Sequence, residues 1–290
     1  VEKQLEIPDS LSHSINIADL EAVNVIIPVY QFPLSREEEM SLEIARSILA
    51  KHHRCFICPK SLKIPNGFIK GESVVRFDEK YFNYPDGYNR MLMSSSFYRA
   101  FGQFQYILIY QLDCLVFRDE LDEWCEKGYD YIGSPWKDNY SDNPNEFSWK
   151  VGNGGFSLRK VSMALEILKR RVKRGSLYPV TPPSRVKPGF WKWLVENSIS
   201  RLKQHLNLWT VEDELMNYRE NEDRWWAVDV LKVRPDYKKP SVEEAMRFGF
   251  EVEPRKCLEM AGGVLPFGCH AWWKQDREFW EVALRKQKLA

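Results

Sequence analysis

Apolar residues fall in short continuous runs, separated by stretches in which they recur at helical spacing. Residues 22–30, AVNVIIPVY, are largely apolar and end near a proline, the pattern of a central parallel strand that stops at its carboxyl edge. Ser35 then stands as an N-cap with Glu38 three residues on. Met40, Leu42, Ile44, Ala45, Ile48 and Leu49 follow at helical positions. RCFICP supplies a second short strand, so residues 22–59 predict a βαβ unit. The alternation continues with a helix over 87–101, a strand over 104–110, a short helix over 119–127 and a strand in YDYIGSPW from Tyr129. Strand alternating with helix predicts an α/β fold with a mostly parallel central sheet, whose ligands bind at the carboxyl edges of the strands. Pro28-Val29-Tyr30, Cys58-Pro59 and Gln111-Leu112-Asp113 fall at such edges.

The middle of the chain differs. Ile167 to Val195 carries eight basic residues and no acidic one, interleaved with Pro, Tyr, Phe and Trp, and reads as an insertion or long loop rather than sheet. It is either a solvated basic loop or a surface for an anionic substrate or an acidic membrane. Downstream, Thr210 caps a helix whose first turn holds Glu212, Asp213 and Glu214, favourable against the helix dipole.

Length and composition narrow the function classes. A chain of 290 residues with 44% hydrophobic content builds a sizeable core. Its 42 Lys and Arg nearly balance 41 Asp and Glu, which argues against nucleic acid as a partner. Aromatics reach 14%, with 11 Trp, side chains that fill cores and also stack on the apolar faces of sugars. Six scattered cysteines lack a small-domain disulfide pattern and suit a reducing compartment. Cys55-x-x-Cys58 has no second pair at zinc spacing. No run approaches a membrane span, and VEKQLEIPDS has no signal-peptide core, so the expected location is cytoplasmic, at most peripheral to a membrane.

Four stretches offer chemistry. In YILIYQLDCLVF, Gln111 and Asp113 are two residues apart and aim at one face of an extended strand end, and a rigid carboxylate there suits a divalent cation bridging a diphosphate. A buried carboxylate also demands a cationic partner. GNGGFSLR, Gly152 to Arg159, is backbone that either passes close to a bulky group such as a sugar ring or simply turns. Glu212-Asp213 is either a capping pair or a source of general base. His270 in GCHAWW is either a core residue or a metal or phosphate ligand.

Taken together, YQLDCLVF, YDYIGSPW and VGNGGFSLR resemble a family of bacterial and fungal proteins assigned to the GT-A class of nucleotide-sugar glycosyltransferases. The resemblance covers residues 22–275. It implies a GT-A-like, Rossmann-like α/β fold in one domain over 1–290: a nucleotide-binding half at about 20–135, an acceptor half at about 136–275 and a basic insertion at about 167–205. It further implies a divalent metal, Mn2+ or Mg2+, on Asp113 and His270, with Gln111 standing where the class motif Asp-x-Asp has its first carboxylate. Asp213, following Glu212, matches the base of inverting members. Pro28, Tyr30, Asn89 and Arg90 would meet the nucleotide, Asn153, Gly154 and Gly155 the donor sugar, and Trp136 donor or acceptor. The implied activity is transfer from a nucleotide sugar, a UDP-sugar foremost, to a hydroxyl of a glycan or lipid-linked acceptor, with membrane contact through residues 169–192. Two alternatives remain. A sugar nucleotidyltransferase would need a glycine-rich basic loop after the first strand, which IPVYQFPLSREEE lacks; a non-catalytic carbohydrate-binding protein would explain Gln111.

Overall fold

Burial on both faces dictates the centre of the molecule. In the computed structural model, which describes residues 20–83, 85–138, 148–178 and 190–288, the first apolar run forms β1 (Glu21–Pro28). Val23, Val25 and Ile27 enter one apolar cluster and Ile26 the other, so the strand needs apolar side chains on both sides. α1 (Arg36–Ile48) starts at Ser35, whose hydroxyl accepts from the Glu38 N–H while the Glu38 carboxylate accepts from the Ser35 N–H, the predicted capping box. β2 (His53–Pro59) pairs parallel with β1, and β3 (Ser73–Phe77) parallel with β2. The helix expected over 87–101 is two helices, α2 (Asp86–Leu92) and α3 (Ser95–Arg99). Ser94 breaks it, because its hydroxyl accepts from the Phe97 N–H and caps a new start. β4 (Phe104–Tyr110) then pairs parallel with β1 on the side opposite β2.

The sheet is completed by later strands. After β5 (Leu115–Val116) and α4 (Leu121–Glu126) come β6 (Tyr131–Gly133), the antiparallel pair β7 (Pro135–Asp138) and β8 (Ser148–Val151), and β9 (Phe156–Lys160). The six-stranded sheet has the order β3-β2-β1-β4-β9-β6; its first four strands are parallel, and β9 runs antiparallel to both β4 and β6. The chain leaves β1 toward β2 and β3 on one side and reaches β4 on the other. Such a reversal of winding opens a crevice between the carboxyl edges of β1 and β4.

Helices cover both faces. α5 (Val161–Lys169), α6 (Phe190–His205), α7 (Val211–Leu215) and α8 (Glu222–Ala227) follow β9; then come α9 (Val242–Phe248), β10 (Gly249–Phe250), α10 (Pro254–Met260), β11 (Gly268–Cys269) and α11 (Arg277–Lys286). Side chains of α2, α3, α5, α7 and α8 join one cluster, and those of α1, α4, α9 and α11 the other. A second sheet, β10-β11-β5, pairs Cys269 with Leu115 antiparallel. That register returns His270 to the turn that holds Asp113. The basic stretch read as a loop, Ile167 to Val195, contains the end of α5 and the start of α6, and Ile199 and Leu202 of α6 and Leu206 just beyond it recur at helical spacing; residues 179–189 lie outside the described residues. All six cysteines are free, with Cys55 and Cys58 buried in β2. No helix among the described residues is long and apolar enough to cross a membrane.

Candidate functional site

The site begins where β4 ends. Beyond Tyr110 the backbone turns, closed by Cys114 N–H donating to the Gln111 carbonyl at 2.9 Å, so Gln111 and Asp113 sit on a turn rather than on an extended strand end. They nevertheless converge. Gln111 Oε1 is 3.2 Å and Asp113 Oδ1 3.3 Å from His270 Nε2. The turn is pinned from behind by Ser41 of α1, which donates to the Cys114 carbonyl at 2.6 Å, and by Tyr110, whose hydroxyl donates to the same oxygen at 3.0 Å. A cavity of about 300 Å3 opens here, lined by Pro28, Tyr30, Gln111, Asp113, Trp273 and Lys274.

Asp113 has the cationic partners a buried carboxylate requires. Lys274 Nζ donates to its Oδ2 at 2.8 Å, and His270 faces its other oxygen. Burial works against the charge, but His270 and Lys274 outweigh it and hold the carboxyl well below its usual range. The same pairing, with Glu251 Oε1 2.9 Å from His270 Nδ1, overcomes burial of the imidazole and raises it to about 10. Ala271 adopts the left-handed conformation at φ 54° directly after His270. That conformation costs a non-glycine residue about 1–3 kcal/mol. It lets the chain double back, with Lys274 and Gln275 both donating to the Ala271 carbonyl.

Three ligand types meet at one point, which bears on a metal. Asp113, Cys114 and His270 bring ligand atoms within 4.8 Å of one another. Cys114 is unsuited: burial pushes its thiol well up, and Sγ donates to the Gly155 carbonyl at 3.3 Å. Asp113 Oδ1, by contrast, is buried with no hydrogen-bond partner. A carboxylate oxygen held only by the ion pair with His270 Nε2 at 3.3 Å, beside an amide oxygen, offers the oxygen and nitrogen donors that suit a small divalent cation such as Mn2+ or Mg2+. His270, with its far nitrogen on Glu251, has the orientation that carboxylate-backed metal ligands take.

The glycine segment separates this cluster from a second one. A Cβ on Gly155 would collide with His270 Nε2 and stand 2.9 Å from Gln111 Oε1; on Gly154 it would collide with Glu222 Oε1 and stand 3.0 Å from Asp223 Cβ; on Gly152 it would strike the Trp136 ring. Close approach, not a special φ, requires glycine at these three positions. Asn153 Oδ1 accepts from the Phe156 N–H, and its Nδ2 lies 3.0 Å from His270 Nδ1. Beyond Gly154, Arg159 and Glu222 form a bidentate pair at 2.8 and 2.9 Å, with side chains 2% and 5% exposed. Arg159 also donates to Ser157 Oγ and to the Gly154 carbonyl. Asp223, next in α8, is pushed up to about 7 by burial, with the Glu222 and Glu251 carboxylates adding to the rise.

The structure therefore brings Gln111, Asp113, Asn153, Gly155 and His270 together, with Pro28 and Tyr30 across the cavity, Trp136 against Gly152, and Gly154 against α8. Asn89 is occupied with α8, bonding Asn221 and accepting from the Glu222 N–H. Arg90 and Glu212 line a separate cavity of about 540 Å3 with Lys80 and Ser94, and Glu212 accepts from the Ser95 N–H. Asp213 closes a capping box with Thr210 and bonds Lys203 at 2.7 Å. None of the hydrogen bonds of Glu212 and Asp213 among the described residues reaches Asp113, Gly154 or His270. The acidic pair expected at 212–213 thus holds the start of α7, while the same Glu-Asp pair at 222–223 faces the glycine turn. Sequence reading missed Arg159, Glu222, Asp223, Glu251 and Lys274. The Glu-Asp repeat after Asn221 was a visible signal, and Lys274 lies one helical turn's spacing from His270.

The architecture is that of an α/β protein with a cleft at the carboxyl edges of β1 and β4, carrying a buried carboxylate–histidine cluster. The chain belongs to the family described as "Protein of unknown function (DUF5672)", whose model matches residues 72–270, from the edge of β3 to His270. Among curated proteins none matches the chain. Similar solved structures include a glycosyltransferase involved in the glycosylation of the major capsid of PBCV-1, 10% identical, TM-score 0.44, covering 91% of this chain and 99% of that one. Another is the apo-form glycosyltransferase GlyE of Streptococcus pneumoniae TIGR4, 9% identical, TM-score 0.40, where 92% of this chain spans 64% of that one. A third is the galactosyltransferase LgtC in complex with donor and acceptor sugar analogs, 10% identical, TM-score 0.43, covering 92% and 94%.

The buried pair makes a stability prediction. Arg159→Met strands the Glu222 carboxylate and is expected to lower unfolding free energy by about 3–5 kcal/mol, read as a shift of the urea midpoint. Pairing it with Glu222→Leu removes the stranded charge, and the double variant should recover most of that loss. A double variant no more stable than Arg159→Met would show that the pair does not act as a unit.

Proposed function

We propose that this protein transfers a sugar from a nucleotide-sugar donor, a UDP-sugar foremost, to a hydroxyl of a glycan or lipid-linked acceptor, with inversion at the anomeric carbon. The observation that carries the reading is the division at Gly154-Gly155: a cation-balanced carboxylate–histidine cluster on one side and a carboxylate of raised pKa on the other. A glycosyl transfer needs both. The leaving diphosphate must have its charge met, and the attacking hydroxyl must lose a proton.

In this reading the diphosphate lies in the Asp113 cavity and the base beside Tyr30. Asp113 and His270, helped by the Gln111 amide oxygen, would hold the divalent cation, which when bound supplies charge stabilisation to the departing diphosphate. Lys274, held at the mouth of the cavity by Asp113, adds a positive charge of its own. Gly154 and Gly155 let the sugar ring approach main chain closely. Asp223 takes the proton of the acceptor hydroxyl as that oxygen attacks the anomeric carbon, and the bond from that carbon to the diphosphate oxygen breaks with its electron pair leaving on the diphosphate. Asp223, rather than Asp213, is given this role because the Asp213 carboxylate is already committed to Thr210 and Lys203. Glu222 and Arg159 position Asp223 without touching the reacting atoms. A second reading is favoured by Lys274 and a protonated His270: a cleft in which these two cations alone meet the diphosphate and no metal is needed.

Binding distinguishes the two readings. In calorimetry UDP should bind with Mn2+ and lose at least about tenfold in affinity with EDTA or in Asp113→Ala, a loss of about 1.4 kcal/mol. Equal affinity in EDTA would favour the metal-free reading, and absence of binding to UDP or other nucleotides would overturn both. Gly155→Ala, whose Cβ displaces His270, should lose metal-dependent binding while keeping the native circular dichroism.

Turnover tests the base. A base must be ionised to accept a proton, so with Asp223 near 7 the rate should fall about tenfold per pH unit below 7 and level off above it. Asp223→Asn should lower kcat by about 10²–10⁴-fold and abolish that limb. Asp213→Ala should cost about 1 kcal/mol of stability through the lost cap and leave the limb in place. The opposite pattern would return the role to Asp213.

A further inference from the structure

The helix α6 is turned the wrong way round for one packed on a water-soluble body. Its body side is polar: Lys203 Nζ bonds Asp213 at 2.7 Å, and Gln204 accepts from the Arg174 N–H. Among its described side chains, the outward side carries Ile199 and Leu202, continued by Leu206, whose N–H closes on the Leu202 carbonyl just past the helix; they are 54%, 57% and 54% exposed and stand three and four residues apart. Leu208, just past the helix, extends the patch at 44% exposed. A helix at a protein surface ordinarily turns this stripe inward. A contiguous apolar patch left outside marks a surface that meets something else.

Charge says what meets it. Residues 169–178 carry five Lys and Arg and no acid, and residues 190–205 carry three Lys and Arg against one Glu. Arg201 and His205 on the same helix are exposed, His205 on the flank of the stripe and Arg201 further round. A second copy of the chain would press like charge against like. An anionic bilayer offers opposite charge at its headgroups and an acyl boundary for Ile and Leu just beneath. The helix is not built to cross that bilayer.

We propose that α6 docks flat on an anionic membrane surface, with Ile199, Leu202 and Leu206 entering the boundary between headgroups and acyl chains. The contact is thus centred on α6 rather than on the basic segment alone. The Lys203–Asp213 bond ties α6 to α7, and Glu212 and Leu215 of α7 line the 540 Å3 cavity that holds Arg90. The proposal stands independently of the reaction assigned to the cleft.

The test is sedimentation of the full chain with vesicles of phosphatidylcholine, with and without phosphatidylglycerol. The wild type should pellet with the mixed vesicles and stay in solution with phosphatidylcholine alone. The variant Ile199→Ser/Leu202→Ser/Leu206→Ser should lose at least roughly tenfold in partitioning. Should it melt below the wild type, Leu202→Asp alone provides the same comparison with one exposed side chain changed. Undiminished binding by these variants, or a wild type indifferent to anionic lipid, overturns the proposal. So does a wild-type dimer in sedimentation velocity that the triple variant dissociates, since the face would then belong to a second copy.

Discussion

The arrangement of the cleft depends on one buried ion pair. Arg159 projects from β9 and Glu222 from the first turn of α8, and their two parallel bonds fix the start of that helix against the sheet. A guanidinium presents its donors as a rigid fork, so the pair sets orientation as well as distance. Tyr98 and Tyr131 enclose it: the Tyr98 hydroxyl lies 3.3 Å from the guanidinium, and the Tyr131 ring sits beneath it at 5.4 Å. Successive helical side chains diverge by about 100°. Clamping Glu222 toward Arg159 therefore turns Asp223 to a different side of α8, with its Cβ against Gly154 and its Oδ1 accepting from the Arg224 N–H. The Gly154 carbonyl is held by the same Arg159, which makes the glycine turn and the acidic helix one assembly.

On the far side of that turn the organising feature is alternation of charge. Lys274, Asp113, His270 and Glu251 follow one another as cation, anion, cation and anion. Each charge is stabilised by the next, from the exposed Lys274 inward, which is how the buried Asp113 and the half-buried His270 and Glu251 meet their neighbours' charge. The series also holds the imidazole by both nitrogens. Two distant segments meet here because β5 and β11 are neighbours, and a two-residue pairing is enough to set Cys269 opposite Leu115. The short second sheet is the device that delivers His270 and Lys274 to β4.

How much of this was legible in the sequence differs by level. β1, β2 and β4 were readable because strands buried on both faces are apolar throughout, and α1 because Ser35 and Glu38 are a local capping signal. The break at Ser94 was missed because a serine in mid-run is a cap only if the chain turns there. α6 was hidden by the Pro-rich basic stretch before it, although Ile199, Leu202 and Leu206 carried its period. Asp113 and His270 stood out as polar residues at the ends of apolar runs. The choice between Glu212-Asp213 and Glu222-Asp223 could not be made locally: both pairs open helices behind a capping residue, and only the partners brought by tertiary packing, Thr210 and Lys203 for one and Arg159 and Gly154 for the other, separate them. Lys274 gave only its four-residue spacing from His270, a weak signal because an exposed lysine is ordinary.

Under the proposed function, the separation at Gly154-Gly155 answers an electrostatic conflict. A diphosphate needs positive charge close by, whereas a carboxylate that serves as base near neutral pH needs positive charge kept away, because a neighbouring cation depresses its pKa. Beside Lys274 or the charged His270, Asp223 would behave as Asp113 does and be too weak a base for a sugar hydroxyl. Burial raises Asp223 first, and the Glu222 and Glu251 carboxylates add to the rise; the Arg224 N–H and the Arg159 guanidinium, which is matched by Glu222, pull the other way without reversing it. Two side-chain-free residues would, in the proposed reading, give the donor room to lie between the clusters while the main chain keeps them apart. In the proposed reading the two glycines that would admit the sugar ring also keep the surroundings of Asp113 and Asp223 apart, and a side chain at either position would disturb both at once.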